Sequence, residues 1–70
     1  MEYYEKLRMK REQKKYSQMQ LAEKLNTNQK QISRYETGEN TMSVKVLKRY
    51  CEILECSADE ILGLKKEEKL

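Results

Sequence analysis

Two short segments with polar caps, flanking a three-residue turn, constrain the fold of this chain more than any other feature. The first segment opens at Ser17 with Gln20 three positions on, and the second opens at Asn28 with Gln31. Side chains in this pattern satisfy free backbone N–H groups of a first helical turn. Each helix would be about two turns long, so each must dock on other parts of the chain to persist. Reversing direction in so few residues requires one near the left-handed helical region, and Asn26 is the best non-glycine candidate.

Apolar residues fall on one face of each segment, as docking requires. Leu21 and Leu25 share a face of the first segment, and Ile32 and Tyr35 share a face of the second. Ala22, on the inner face of the first segment, is small enough for the second helix to cross it closely. The sequence therefore predicts a helix-turn-helix corner.

The rest of the chain also reads as helix. With 70 residues, 37% of them hydrophobic and 39% charged, it suits one small all-α domain with a marginal core. No segment alternates as a strand would, and Ser43 and Ser57 are the expected caps of the last two helices. We predict five helices, at residues 2–14, 18–25, 29–36, 44–54 and 58–62.

Charge is unevenly distributed along the chain. Residues 1–50 carry twelve Lys or Arg against six acidic residues, whereas residues 51–70 carry three against six. A basic body with an acidic end fits a protein that turns one side towards phosphates. The chain has no apolar run long enough to span a bilayer and no apolar leader with a cleavage site, so we expect a cytoplasmic protein without membrane contact.

The sequence offers little for metal binding or catalysis. Without histidine, Cys51 and Cys56 cannot complete a four-ligand zinc site from strong ligands within one protomer. A disulfide is not expected in a reducing cytoplasm, and Cys51 falls on the apolar face of the fourth helix as a small core residue. No group is evident as a general base near neutral pH. We therefore expect no metal, no cofactor and no enzymatic activity.

The second helix of the corner leaves polar side chains outside. When Ile32 and Tyr35 turn inward, the helical period places four polar residues on the outer face and a fifth at its margin. The four are Gln29, Lys30, Ser33 and Arg34, and the fifth is Gln31. A Gln amide can pair with adenine N6 and N7, and Arg or Lys with guanine O6 and N7. This pattern predicts a helix that reads base edges in a DNA groove.

These features resemble a known family, the lambda repressor and Cro type of helix-turn-helix proteins, also called the xenobiotic-response-element family. The resemblance runs nearly end to end and rests on several spaced elements. The matching elements are Leu7 with Arg11, Ser17 with Gln18, Leu21 with Ala22, residues 32–38, Leu47, Leu54, Ser57 and residues 59–64. Two positions depart from the family, with Asn26 in place of the usual glycine and Met42 where a proline often precedes the fourth helix. The resemblance implies a compact five-helix, lambda-repressor-like DNA-binding domain over residues 1–64, followed by a charged, frayed tail at residues 65–70.

The resemblance also implies roles for individual residues. The family's base-reading positions match Gln29, Lys30 and Arg34, with Gln31 and Ser33 as supporting candidates. The family's phosphate-contacting positions match Gln18, Asn28, Asn40, Thr41 and Ser43, and Lys45 is a further candidate. Arg11 and Glu36 resemble an internal ion pair that ties the first helix to the reading helix. Tyr35 is expected in the core rather than stacked on a base.

We interpret the chain as a sequence-specific DNA-binding transcriptional regulator, in the first instance a repressor that binds double-stranded DNA at an inverted repeat as a homodimer. The expected dimer contacts are Ile61, Leu62 and Leu64. Two alternatives stay open, namely a module that docks another protein, and the antitoxin half of a toxin–antitoxin pair with its toxin bound at the acidic end. Four apolar residues that lie off the predicted buried faces of the helices keep the first alternative open. They are Met9, Met19, Met42 and Val46.

Overall fold

The computed structural model describes residues 1–63, which form five α-helices around one core and contain no strand. The helices are α1 (Tyr3–Gln13), α2 (Gln18–Leu25), α3 (Gln29–Thr37), α4 (Val44–Leu54) and α5 (Ala58–Leu62). Every boundary lies within one residue of its prediction, so the all-α, five-helix expectation is confirmed. Leu64 and the predicted tail at residues 65–70 lie outside the described residues.

Side-chain caps set the starts of the helices. Ser17 Oγ accepts from the N–H of Gln20 at 3.0 Å, and Gln20 Oε1 accepts from the N–H of Ser17 at 2.8 Å, which is the predicted capping box. Asn28 caps α3 by accepting from the N–H of Gln31 at 2.9 Å. The reciprocal bond expected from Gln31 is not formed, because its amide is bound elsewhere. Serines cap α4 and α5 as predicted.

The turn between α2 and α3 depends on a left-handed residue. Asn26 has φ 61° and ψ 46°, as its place in the sequence predicts. The N–H of Asn26 donates to the carbonyl of Glu23 at 3.2 Å, and the N–H of Thr27 donates to that of Ala22 at 2.9 Å. These two bonds form a Schellman motif, which ends α2 and turns the chain back within three residues.

Gly38 ends α3 in a position that suits glycine for two reasons. Its φ is +83°, and a Cβ there would lie 2.6 Å from the Cζ of Tyr4. The ring of Tyr4, in α1, therefore packs directly on the backbone at the end of α3. This contact needs both the left-handed conformation and the missing side chain of glycine.

The core is formed by one face of each helix. The largest fully buried side chains are Tyr50, Leu7, Leu21, Ile32, Leu54 and Ile61. Tyr35 is buried as predicted and meets the ring of Tyr50 edge to face, with the centroids 6.0 Å apart. Cys51 is also buried in this core, as expected.

The burial of Ile61 removes this residue from the predicted dimer interface. Its side chain is 1% exposed and packs in the core of its own protomer, so it is not on the surface where a partner would contact it. Leu62, by contrast, is 44% exposed. Of the four apolar residues predicted to lie off the buried helix faces, Met42 and Val46 are half-buried against the core, and only Met9 and Met19 are exposed.

Among residues 1–63, no helix has the length and apolar character that crossing a membrane requires.

Candidate nucleic-acid interface

The outer face of α3 presents the side chains that the helical period places there. Gln29, Lys30 and Arg34 are exposed, and Ser33 is half-buried. The guanidinium of Arg34 lies 3.9 Å from the carboxylate of Glu39, with both side chains largely in solvent. An exposed pair at this separation holds its partners weakly. Arg34 is therefore free to leave Glu39 for a stronger acceptor.

A continuous series of hydrogen bonds, here called the Arg11–Gln29 chain, joins the core to the first residue of α3. Arg11 Nε donates to Glu36 Oε2 at 2.6 Å, and Arg11 Nη2 donates to Glu36 Oε1 at 3.2 Å. Glu36 Oε1 also accepts from Gln18 Nε2 at 2.9 Å. Gln18 Oε1 in turn accepts from Gln29 Nε2 at 3.3 Å.

The charge of Glu36 sets the direction of both amides. A carboxylate only accepts hydrogen bonds, so Gln18 must turn its NH₂ group towards Glu36 and its oxygen towards Gln29. Gln29 must then direct an N–H towards Gln18. This leaves the oxygen of Gln29 and its second N–H for other partners. The chain therefore orients the exposed amide at the start of α3 as an acceptor beside a donor.

The ion pair at the inner end of this chain is buried on both sides. Its side chains are 10% exposed for Arg11 and 4% for Glu36, and Arg11 Nη1 also donates to the carbonyl of Tyr16 at 2.8 Å. Such a pair contributes little net stability, because desolvation of the two charges offsets much of their attraction. Its structural effect is to fix α1, the start of α2 and the end of α3 relative to each other.

A second group of side chains holds the loop after α3. Gln31 Nε2 donates to Tyr35 Oη at 3.3 Å, and Asn40 Nδ2 donates to Gln31 Oε1 at 2.8 Å. The backbone N–H of Asn40 also donates to the carbonyl of Arg34 at 3.2 Å. Gln31 is half-buried in this arrangement, with its amide turned to Asn40 rather than outward as a base reader would be. The periodicity places Gln31 at the margin of the outer face, but it cannot show this engagement.

The capping residues of α3 and α4 keep a hydrogen-bond donor beyond the bond that caps each helix. Asn28 uses Oδ1 to cap α3, and Ser43 uses Oγ to accept from the N–H of Val46 at 3.1 Å. The Asn28 NH₂ group and the Ser43 O–H are thus left as donors, the polarity that a phosphate requires. Thr41 and Lys45 are exposed nearby in sequence. Gln18 differs from these, because it is half-buried and its amide already has two partners.

Basic residues of α1 pair with the acidic end of the chain. Lys10 Nζ lies 3.2 Å from a carboxylate oxygen of Glu60, and Lys14 Nζ donates to Glu55 Oε1. The hydrogen bond to Lys14 holds the pKa of Glu55 below its ordinary value. The count of charges along the sequence divides the chain into a basic part and an acidic part, but it does not show these ion pairs between the two parts. These ion pairs neutralise two of the basic charges on the α1 side of the molecule.

Three further observations concern metal binding, the cysteine thiols and a buried tyrosine hydroxyl. Within residues 1–63, no three His, Cys, Asp or Glu residues are grouped so as to hold a metal ion. Cys51 and Cys56 are free thiols. Tyr50 is fully buried, and its hydroxyl finds no hydrogen-bond partner among the described residues, so desolvation raises its pKa. Sequence reasoning did not single out Tyr50, although its spacing from Leu47 and Leu54 places it on the apolar face of α4.

Comparison with known proteins identifies the family. Residues 7–61 match the family model described as helix-turn-helix, of the lambda repressor and Cro type. A search of curated proteins found no match, and neither did a search of solved structures. Proteins of the matched family bind DNA as regulators and are in general not enzymes. The match spans most of the chain, from α1 to α5, and so this protein belongs to the lambda repressor and Cro type of helix-turn-helix DNA-binding regulators.

Proposed function

We propose that the protein is a transcriptional repressor that reads an inverted repeat in the major groove as a homodimer. The observation that carries this proposal is the Arg11–Gln29 chain, which orients an exposed acceptor and donor at the start of α3. Adenine presents the complementary pattern in the major groove, with the N6 amino group as donor and N7 as acceptor.

The other residues of the outer face complete the readout. Lys30 and Arg34 supply donors for guanine O6 and N7 beside the adenine read by Gln29. Ser33 adds a hydroxyl at the edge of the face. Gln31 acts through Asn40, which it holds in place, rather than by touching a base.

Phosphate contacts would set the register of α3 in the groove. The capping residues of α3 and α4, Asn28 and Ser43, keep donors that suit phosphate oxygens, and Asn40 and Thr41 lie in the loop between these two helices. Gln18 has one N–H left for a phosphate beyond its bond to Glu36. The proposed phosphate contacts are Gln18, Asn28, Asn40, Thr41, Ser43 and Lys45.

A second protomer is required because one reading helix covers only a few base pairs. The proposed contact surface is the α4–α5 groove, which lies beside Leu62 and includes Val44, 83% exposed. It is lined by Val44, Leu47, Lys48, Cys51, Glu52, Cys56, Ala58 and Leu62. Lys48 and Glu52 are one helical turn apart, so a two-fold axis that passes between them would set Lys48 of one protomer beside Glu52 of the partner subunit. For that axis the groove is self-complementary in charge. Leu64, outside the described residues, stays a proposed contact.

Selection from randomised duplexes tests this function. We expect enrichment of an inverted repeat whose half-sites are about 34 Å apart, one turn of DNA. Binding to the selected duplex should survive added salt better than binding to a random duplex, because phosphate contacts alone supply the non-specific affinity. Equal affinity for both duplexes at every salt concentration would contradict sequence-specific readout. It would favour the alternative of a module that docks another protein.

A further inference from the structure

The end of α4 brings two cysteines together through its backbone geometry. Glu55 has φ 58° and ψ 45°, and its N–H donates to the carbonyl of Glu52 at 3.3 Å. The N–H of Cys56 donates to the carbonyl of Cys51 at 3.0 Å. These two bonds form a Schellman motif, in which the residues joined by the bond that spans five positions frequently make a side-chain contact. Here those residues are Cys51 and Cys56.

The two thiols are neighbours and differ in access to solvent. Both line the α4–α5 groove, where Cys51 is 6% exposed and Cys56 is half-buried. Burial raises the pKa of Cys51 to about 12, so this thiol is unreactive towards outside reagents. Burial also raises the pKa of the half-buried Cys56, but its hydrogen bond with Cys51 and the positive charge of Lys10 act in the opposite direction. A reagent that enters the groove therefore meets Cys56 first.

We propose that Cys51 and Cys56 form a reversible oxidation site, which closes to an intrachain disulfide by exchange with a small-molecule disulfide such as glutathione disulfide. The Cys56 thiolate attacks one sulfur of the reagent, forms a mixed disulfide and releases one reagent thiolate. Cys51 then gives its proton to the first released reagent thiolate as its sulfur attacks the Cys56 sulfur, forms the intrachain bond and expels the second reagent thiolate. Two electrons pass from the cysteine pair to the reagent, and the two thiol protons end on the two released thiols.

Ring closure needs little change in the backbone. A disulfide requires Cα atoms within about 4.4 to 6.8 Å, and the Schellman motif already holds the two residues side by side through its backbone bonds. The new bond would tie the last turn of α4 to the residue that precedes Ser57, the cap of α5. Oxidation would thereby fix the joint between α4 and α5. This step needs no DNA. The proposed dimer would cover the α4–α5 groove, so the oxidation is measured at a protein concentration at which the chain sediments as a monomer, and its outcome is then independent of the proposed function.

The test uses the intact, folded chain in buffers of fixed ratio of glutathione to glutathione disulfide, followed by alkylation of the remaining thiols and mass spectrometry. We expect the main oxidised product to have lost two hydrogens, with no glutathione attached and no alkylated cysteine. The Cys51→Ser variant should stop at one glutathione on Cys56. The matched Cys56→Ser variant should stay unmodified, because the remaining thiol is buried.

The same titration in urea separates native geometry from chain proximity. If the fold favours closure, the equilibrium constant for disulfide formation should be at least about tenfold higher in the native chain than in urea. Three results would overturn the proposal: a chain carrying glutathione on both cysteines, disulfides only between chains, or a constant no higher in the native state than in urea.

Discussion

The Arg11–Gln29 chain makes a prediction that separates stability from specificity. Replacing only Arg11 or only Glu36 leaves a buried charge without its partner, which costs about 3 to 5 kcal/mol of unfolding free energy. Replacing both, as Arg11→Met with Glu36→Leu, removes both charges and fills similar volume. Such exchanges of a buried pair are often neutral or stabilising. We therefore expect the double variant to unfold at a urea concentration equal to or above that of the parent.

Base discrimination should nevertheless fall in this double variant. Gln18 loses the carboxylate that sets the direction of its amide, so Gln29 is no longer held by a fixed partner. The discrimination lost is bounded by one neutral hydrogen bond, about 1 kcal/mol, or roughly fivefold in relative affinity. It is measured by comparing the selected duplex with one in which the base pair read by Gln29 is exchanged. Affinity at other positions of the site should change less.

An exposed pair on α1 is the matched control. Arg8 and Glu12 lie 3.2 Å apart with side chains 59% and 52% exposed. Glu12 Oε2 also lies 3.9 Å from Arg11 Nη2, so the control keeps Glu12 and changes only Arg8, as Arg8→Met. This control should alter neither the urea midpoint nor the discrimination beyond a few tenths of a kcal/mol. Unchanged discrimination in the core double variant would refute the claim that the chain orients the reader. A core double variant that unfolds several kcal/mol more easily would refute the claim that the pair contributes little stability.

Four further changes test other parts of the surface and core. Arg34→Ala should weaken binding to the selected duplex by about 1 to 3 kcal/mol and relax preference at one base, and equal losses on all duplexes would make Arg34 a phosphate contact instead. Asn28→Ala should weaken binding uniformly across duplexes and lower the unfolding free energy by about 1 kcal/mol through the lost cap, so an unchanged melting temperature would contradict the cap. Tyr50→Phe should raise the unfolding free energy by about 1 kcal/mol, because it removes a buried hydroxyl that has no protein partner, and a destabilised variant would show that the hydroxyl is satisfied. Leu62→Asp should make the protein sediment as a monomer at concentrations where the parent is a dimer, whereas Met9→Asp, equally exposed on α1, should not.

Signals within a few residues of each other were sufficient to predict the helices. Ser17 and Asn28 mark helix starts because a cap bonds to an N–H three residues away, and Asn26 marks the turn because few residues tolerate a left-handed backbone. The apolar spacing likewise identified the buried face of α3, since side chains three or four apart share a helix face. These interactions are local, and the sequence displays them directly.

Engagement of side chains across helices was decided only by the tertiary structure. The spacing that placed Gln31 at the margin of the outer face could not show that Asn40 would hold its amide. An apolar residue near the chain end suits a dimer surface or a core equally well, and only packing against the other helices put Ile61 inside.

The direction of the Gln18 amide shows the same limit. The direction depends on Glu36, which lies eighteen residues from Gln18 in the sequence. It also depends on Arg11, which pairs with Glu36 and lies twenty-five residues before it. Which atoms a polar side chain leaves free is set by neighbours that the fold brings together from distant parts of the chain. Local periodicity determines which face a residue occupies, whereas the contacts between helices determine what its donors and acceptors can do.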